Sequence, residues 1–421
     1  MRIVLVSYGS RGDVEPMTAL ALRLRALGAE VRVCAPPDFA ELLDGIDVPL
    51  TPVGWPIRAL ATGAVPGRTT LSDIAAELTA MACEAVTEGC AAVVATGSFP
   101  AVAGARSAAE RLGVRYLFAS FSPSYLPSPH NPPRPWPGQV IPPGVTGNRE
   151  LWDLHAEHLE ALFGDTVNTH RASIGLPPVS GVRDHVFTGH PLLAADPVLG
   201  PWQETPELDV AQTGAWIRPD DRPLPAGLEA FLAAGAEPVY VGFGSMPMRG
   251  ANAREISRAV IEAVRTQGRR VLLGSGWAGL APVDDRDDCF LVGEVNQQAL
   301  FSRVAAVVHH GGAGTTTTTA RAGAPQVIVP QVADQPYWAG RVTELGIGTG
   351  HDGPTPTAES LSAALEISLA PATGARAAAL AEAVRTDGAE TAAKLLLDTT
   401  STDVPRYLGV VAPERRTPWR E

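Results

Sequence analysis

Short, unbroken apolar runs recur along the chain and alternate with stretches of helical periodicity. Ile3 to Val6 is continuously apolar, the pattern of a strand buried on both faces. Beyond the next loop, Leu20, Leu24 and Leu27 recur at helical spacing until Gly28 stops them, and Pro16 fits the first turn of that helix. "EVRVCA" predicts a second strand, "AAVVATG" (Ala91–Gly97) a further one, and "AVAGARSAAERLG" the helix after it. The rhythm stops and then restarts. "PVYVGFGS", "RRVLLGSG", "CFLVGEV", "VAAVVHH" and "APQVIVPQ" read as strands, with "AREISRAVIEAVRTQG" as a helix among them. Near the end, "GARAAALAEAVRTDGAETAAKLLLD" reads as helical. Strands alternating with helices argue for parallel, doubly wound sheets, here in two α/β halves of roughly 200 residues each.

Two segments break the pattern. Ser122 to Gly147 is too rich in proline for regular helix or a central strand. A long irregular segment inside an enzyme is often a binding loop or lid, and Tyr125 and Trp136 favour a binding surface over a disordered excursion. Ala195 to Pro225 is the expected crossing between the halves, and the tail after Ser401 is expected to be loosely held.

Composition narrows the classes. Of 421 residues, 45% are hydrophobic and 19% charged, as in a globular protein. The net charge of −12 provides no basic field for nucleic acid or anionic membrane, so an anionic ligand would need local devices such as a helix N-terminus. Cys34, Cys83, Cys90 and Cys289 show no CxxC spacing, which disfavours a metal ribbon or disulfide framework and predicts reduced thiols. No apolar run reaches the ~18 residues of a membrane span, and "MRIVLVSYGSRGD" lacks a signal-peptide core, so a cytoplasmic protein is expected.

Candidate chemistry concentrates in "VVHHGGAGTTTTT" (Val307–Thr319). After a strand, Gly311, Gly312 and Gly314 let backbone N–H groups approach a bulky ligand, and Thr315 or Thr316 is the expected N-cap of the next helix. A helix N-terminus offers free donors and partial positive charge, and a histidine at the strand end adds a further donor. Together they describe a phosphate cradle. The structural alternative is a tight glycine turn with two packed imidazoles. Farther on, Asp334 and Gln335 lie between a strand and a helix predicted to begin near Pro336, where a carboxylate and an amide suit the hydroxyls of a sugar; a helix N-terminus also favours Asp for its own sake. Ser245, in the turn "GFGS", can reach a second phosphate.

The N-terminal loop "YGSRGDVEP" has no GxGxxG and puts Asp13 where a dinucleotide pyrophosphate would sit. Asp13 reads instead as a general base with Ser10 nearby, the alternative being a helix-capping aspartate. Three patterns carry less. "DDRDD" (Asp284–Asp288) contains a DxD but reads as a solvated loop, His155 and His158 lack the HExxH pattern, and "GFGSM" lacks the last glycine of a nucleophile elbow because Pro247 stands there.

With "GSRGDVEP", "SPSYLPSP", "HRASIGLPPV", "AQTGAWI", "GEVNQQALF", "HHGGAGTT" and "ADQPYWAGRV", nearly the whole chain resembles a family 1 GT-B glycosyltransferase, in particular the enzymes that decorate vancomycin-type glycopeptide antibiotics. The resemblance implies two Rossmann-like α/β domains facing across a cleft: acceptor-binding at 1–205, a linker at 206–225, nucleotide-sugar-binding at 226–380, a C-terminal helix at 381–400 crossing back, and a tail at 401–421. It implies Asp13 as catalytic base assisted by Ser10, and an acceptor surface including Gly12, Tyr125 and Trp136. His309, His310, Gly311, Gly312, Ala313, Gly314 and Thr315 would hold the diphosphate with Ser245. Val295, Asn296 and Gln297 would line the base pocket, and Asp334 and Gln335 would bind the sugar. The expected reaction is metal-free, inverting O-glycosylation of an antibiotic aglycone, with a TDP-deoxysugar preferred as donor over UDP-glucose and no other cofactor. No nucleic-acid or membrane partner is expected, and the chain would be a monomer or weak dimer. A sugar-nucleotide epimerase and a non-catalytic helper protein of the same fold are the competing readings.

Overall fold

Two parallel sheets carry the fold of this computed structural model, in which residues 1–61, 70–134, 136, 138–246 and 252–401 are described. Most of the C-terminal tail and Pro247 lie outside them. The chain divides into one unit of residues 1–195, 202–218 and 387 onward, and a second of residues 196–201 and 219–386.

The first unit's sheet contains β1 (Arg2–Tyr8), β2 (Glu30–Ala35), β3 (Leu50–Pro52), β4 (Ala92–Gly97), β5 (Arg115–Ser120), β6 (Leu192–Leu193) and β7 (Ala211–Gln212). Their order is β3-β2-β1-β4-β5-β6-β7, with every neighbouring pair parallel. Ile3, Val4, Leu5 and Val6 have no exposed surface, as a central strand covered by helices on both faces requires. The order reverses between β1 and β4. In open α/β sheets, ligands bind beyond the carboxyl ends of the strands at such a reversal.

The second unit repeats the plan with β8 (Val239–Gly242), β9 (Val271–Gly274), β10 (Cys289–Val292), β11 (Ala306–His309), β12 (Gln326–Ile328) and β13 (Gly348–Gly350), in the parallel order β10-β9-β8-β11-β12-β13. Its reversal falls between β8 and β11. One core packs Ile256, Val260 and Val264 of the helix Ala253–Thr266 under the sheet. A second packs Leu228, Leu232, Phe301 and Val304.

The helices differ from the sequence reading, or add to it, in three places. The helix after β1 begins at Arg11, so Pro16 lies beyond its first turn. The helical run near the C-terminus is two helices, Pro371–Ala381 and Gly388–Ser401, and the later one packs against Arg11–Ala26. Between them, Arg385 N–H donates to Asp196, a fully buried carboxylate that also accepts from Val198 and Leu199 N–H. The third, Asn148–Ser173, buries Trp152, His155, Leu159, Phe163, Val167 and Arg171 along one face, a stripe whose polar members hide its periodicity. Among the described residues no helix is long and apolar enough to cross a membrane.

Candidate active site

The loop leaving β1 is built around Asp13. Ser10 is the N-cap of the helix Arg11–Ala26: its Oγ accepts from Gly12 N–H at 3.2 Å, while Asp13 Oδ2 accepts from Ser10 N–H at 2.8 Å. This is a capping box with Asp at its third position. Ser10 Oγ also lies 3.3 Å from Asp13 Oδ2, so the two sequence-predicted residues do meet. A β-carbon on Gly9 would stand 2.2 Å from the same oxygen, so the carboxylate needs a glycine there. The structure thus gives Asp13 the capping geometry and holds it, partly exposed, at the reversal of the first sheet.

Beyond β11 the chain enters the second reversal. His309 is fully buried, and Gly311 N–H donates to its Nδ1 at 3.1 Å. Its proton therefore lies on Nε2, which donates to Gln326 Oε1 at 2.9 Å. Burial first, then the neighbouring His310, pushes His309 down to about 3 and keeps it neutral. Both ring nitrogens are thus spent inside the protein, and His309 shapes the loop instead of reaching a ligand. Gly311 has φ +90°, and a β-carbon there would stand 2.6 Å from Ile328 Cγ2. Its N–H, taken by His309, drops out of the expected diphosphate donors.

The helix that follows runs from Ala313 to Arg321 with Gly312 as N-cap, and the threonines lie inside it instead of capping it. Thr316, Thr317 and Thr319 hydroxyls donate to the carbonyls of Gly312, Ala313 and Thr315, which lets this polar face be buried. The first intrahelical N–H donor is Thr316, so Ala313, Gly314 and Thr315 precede it with no intrahelical acceptor. Beside them, the ring Nδ1 of His310 is buried with no hydrogen-bond partner. Burial pushes this imidazole down to about 4. Its Cε1 lies 3.3 Å from where a β-carbon on Gly244 would be, and its Nε2 lies 2.7 Å from that of Gly312. The ring is therefore wedged between the β8 turn and the helix start, with Ser245 next in the chain after Gly244. A neutral histidine, unmet N–H groups and a helix dipole converge at one sheet reversal, an arrangement that suits an anion.

The other second-unit candidates are more occupied than their sequence suggests. Asn296 caps Gln297–Leu300 by accepting from Ala299 N–H, and its amide donates to the carbonyls of Asp220 and Arg222. Gln297 hydrogen-bonds Tyr240, and Val295 packs against the Leu228 core. Gln335 is buried, with Oε1 accepting from Gln331 and Val332 N–H at 2.7 and 3.0 Å. Asp334 Oδ2 accepts from the Trp338 indole at 2.7 Å, and Ala333 before it holds φ +66°, costly for a residue with a β-carbon. Gln335 O lies 3.3 Å from the β-carbon position of Gly311, so this loop borders the cradle.

Comparison with known proteins shows the family. Residues 3–128 match the glycosyltransferase family 28 N-terminal domain, and residues 284–395 match the erythromycin biosynthesis protein CIII-like C-terminal domain. Glycosyltransferase GtfE of Amycolatopsis orientalis is 53% identical over 410 residues, 96% of this chain and 99% of the relative. The chain belongs to the GT-B glycosyltransferases. Two further relatives from the same organism, a vancomycin aglycone glucosyltransferase and a dTDP-epi-vancosaminyltransferase, are 53% and 48% identical, each over 96% of this chain and 99% of the relative. Among solved structures, the calicheamicin glycosyltransferase CalG4 shares the fold with a TM-score of 0.68 at 18% identity, covering 98% of this chain and 99% of that one. The glycosyltransferase VinC, in complex with DTDP, shares it at 0.66 and 20%, covering 95% and 99%.

In this GT-B glycosyltransferase the proline-rich segment is pinned to the helix Asn148–Ser173. Trp136 Nε1–H donates to His155 Nε2 at 3.1 Å and the ring packs edge-on against Phe163, while Trp152 Nε1–H donates to Asn131 O and Asn148 to Pro129 O. Trp136 thus acts as a staple with its polar edge committed. Tyr125 lies half-buried at the start of the segment, in a short turn capped by Ser122.

The weaker sequence patterns have structural explanations. In "DDRDD", Asp284 and Asp288 both grip Arg265, and this pairing holds the Asp284 carboxyl down at about 2. No group of three or more metal-ligating side chains occurs among the described residues. All four cysteines are free thiols.

Proposed function

We propose that this glycosyltransferase is an inverting enzyme that moves a sugar from a nucleoside diphosphate sugar, preferably a TDP-deoxysugar, to a hydroxyl of a glycopeptide aglycone. The observation that carries the donor side is the buried, unpartnered His310 Nδ1 beside the unmet N–H groups of residues 313–315. As the glycosidic bond to phosphate breaks, charge grows on the leaving diphosphate, and these donors stabilise it without having to reorganise. The first unit supplies the base: Asp13 takes the proton of the attacking hydroxyl as attack proceeds. Attack opposite the leaving group inverts the anomeric centre. The helix end supplies the positive potential that a divalent cation provides elsewhere and neutral His310 adds a hydrogen bond, so activity should survive chelation.

The relative named as a dTDP-epi-vancosaminyltransferase supports this choice of donor, and the one named as a vancomycin aglycone glucosyltransferase supports the choice of acceptor. The glucosyltransferase also supports a second reading, in which UDP-glucose is the donor on the same scaffold. Calorimetry with TDP, UDP and NAD tests the donor, followed by product analysis with the preferred nucleotide sugar and a glycopeptide aglycone. TDP preference and an aglycone glycoside are expected. Binding of NAD alone, or an epimerised sugar nucleotide from donor without acceptor, would overturn the proposal.

A further inference from the structure

Gln326 lies on β12, fully buried, and no step above uses it. Its side chain makes two bonds that fix its orientation. Nε2 donates to the carbonyl of Thr316 at 3.2 Å, which turns Oε1 toward His309 Nε2 at 2.9 Å. His309 Nδ1 in turn accepts from Gly311 N–H. Each polar atom is used once and in one direction, from Gly311 N–H through imidazole and amide to Thr316 C=O.

The two ends of this relay have a particular place. Gly311 opens the loop and Thr316 makes the helix's first N–H bond, so the relay ties the residues on either side of 312–315. Those are the residues whose N–H groups supply the anion site. We propose that Gln326 is a positioning residue for the donor diphosphate: it selects the Nε2–H tautomer of His309 and thereby sets the spacing of the cradle. This inference rests on the proposed donor reading. The alternative tautomer would point a proton at Gly311 N–H and open the turn. Deep burial, which keeps His309 neutral, works in the same sense.

Two variants of the full-length protein test it, with TDP and thymidine as probes. Gln326→Leu removes both bonds and should weaken TDP about tenfold, the loss of one hydrogen bond's net worth, while thymidine affinity is unchanged. Gln326→Glu makes the test within one folded protein. A protonated carboxyl has one donor and one acceptor like the amide, whereas the ionised form cannot donate to Thr316 O. Burial raises its pKa. TDP affinity relative to wild type should therefore be near one at low pH and fall as pH rises. In 15N spectra of histidine-labelled wild type, the His309 signal, assigned by its loss in His309→Gln, should show an unprotonated Nδ1.

If wild type binds TDP no better than thymidine, the diphosphate reading itself fails. If wild type prefers TDP, and both variants keep that preference across about pH 5 to 8, the reading stands and the Gln326 inference is wrong. A protonated Nδ1 on His309 overturns it independently of any binding result.

Discussion

Asp13 and Gly9 compete for one volume: a β-carbon on Gly9 would stand 2.2 Å from Asp13 Oδ2 and 2.5 Å from its carboxyl carbon. The approach constrains space alone, since Gly9 is absent from the residues with positive φ. Gly9→Ala should therefore fold but swing the carboxylate out of its cap. We expect turnover to fall at least ~10-fold, within the reach of a misplaced general base, with TDP affinity unchanged. Wild-type turnover in this variant, read by steady-state kinetics beside calorimetry, would mean that the placement of the carboxylate is irrelevant.

Capping and catalysis by Asp13 can be separated. Asn at this position keeps a carbonyl oxygen for Ser10 N–H but cannot take a proton. Asp13→Asn should retain wild-type melting and lose ~10²–10⁴ in turnover. Asp13→Ala should lose as much turnover and also about 0.5–2 kcal/mol of stability with the cap. Equal turnover in wild type and Asp13→Asn would reduce Asp13 to a helix cap.

These pairings mark where the sequence stopped being legible. The strand runs, the two sheets and the glycine-rich turns could be read because apolar periodicity and glycine are local signals. The use of each polar atom could not. Whether Gly311 N–H faces a ligand or His309 depends on Gln326, which reaches the site from the adjoining parallel strand. Asn296 and the Trp136 indole were readable as site-like residues, yet their partners Asp220 and His155 lie far off in the chain, where no spacing reveals them, while Gln335 turns back on Gln331 four residues before it. Helix starts failed for a local reason: the Ser10–Asp13 capping box begins its helix well before the proline. The threonine run extends a helix because back-bonding satisfies its hydroxyls.

His310 should link donor binding to protons. Burial holds it at about 4 in the free protein, and a diphosphate beside it favours the charged form. Between the free and bound values, binding takes up a proton and tightens as pH falls. Calorimetry in buffers of different ionisation enthalpy should find this uptake in wild type beyond that in His310→Gln. The variant should also bind TDP roughly 10- to 100-fold more weakly, as for a lost charge-assisted bond. Equal affinity and equal proton uptake would remove His310 from the diphosphate site.

His309 makes stability depend on pH in one direction. Its folded value of about 3 lies below the ordinary 6.5, with desolvation as the main cause. Above 6.5 the imidazole is neutral in both states and costs nothing. Below it the unfolded chain binds a proton that the folded chain refuses, so stability falls with pH until the folded value is passed. One histidine contributes a slope of up to about 1.4 kcal/mol per pH unit over that interval. Carboxylates add their own acid sensitivity, so the comparison must be between variants. His309→Gln will lower stability at neutral pH by disturbing the Gly311 turn, but its stability should fall less steeply between about pH 6 and 4. Urea unfolding across that range measures the slope. An unchanged slope would mean that His309 carries a proton in the folded protein, and the bond from Gly311 N–H to its Nδ1 could not then exist.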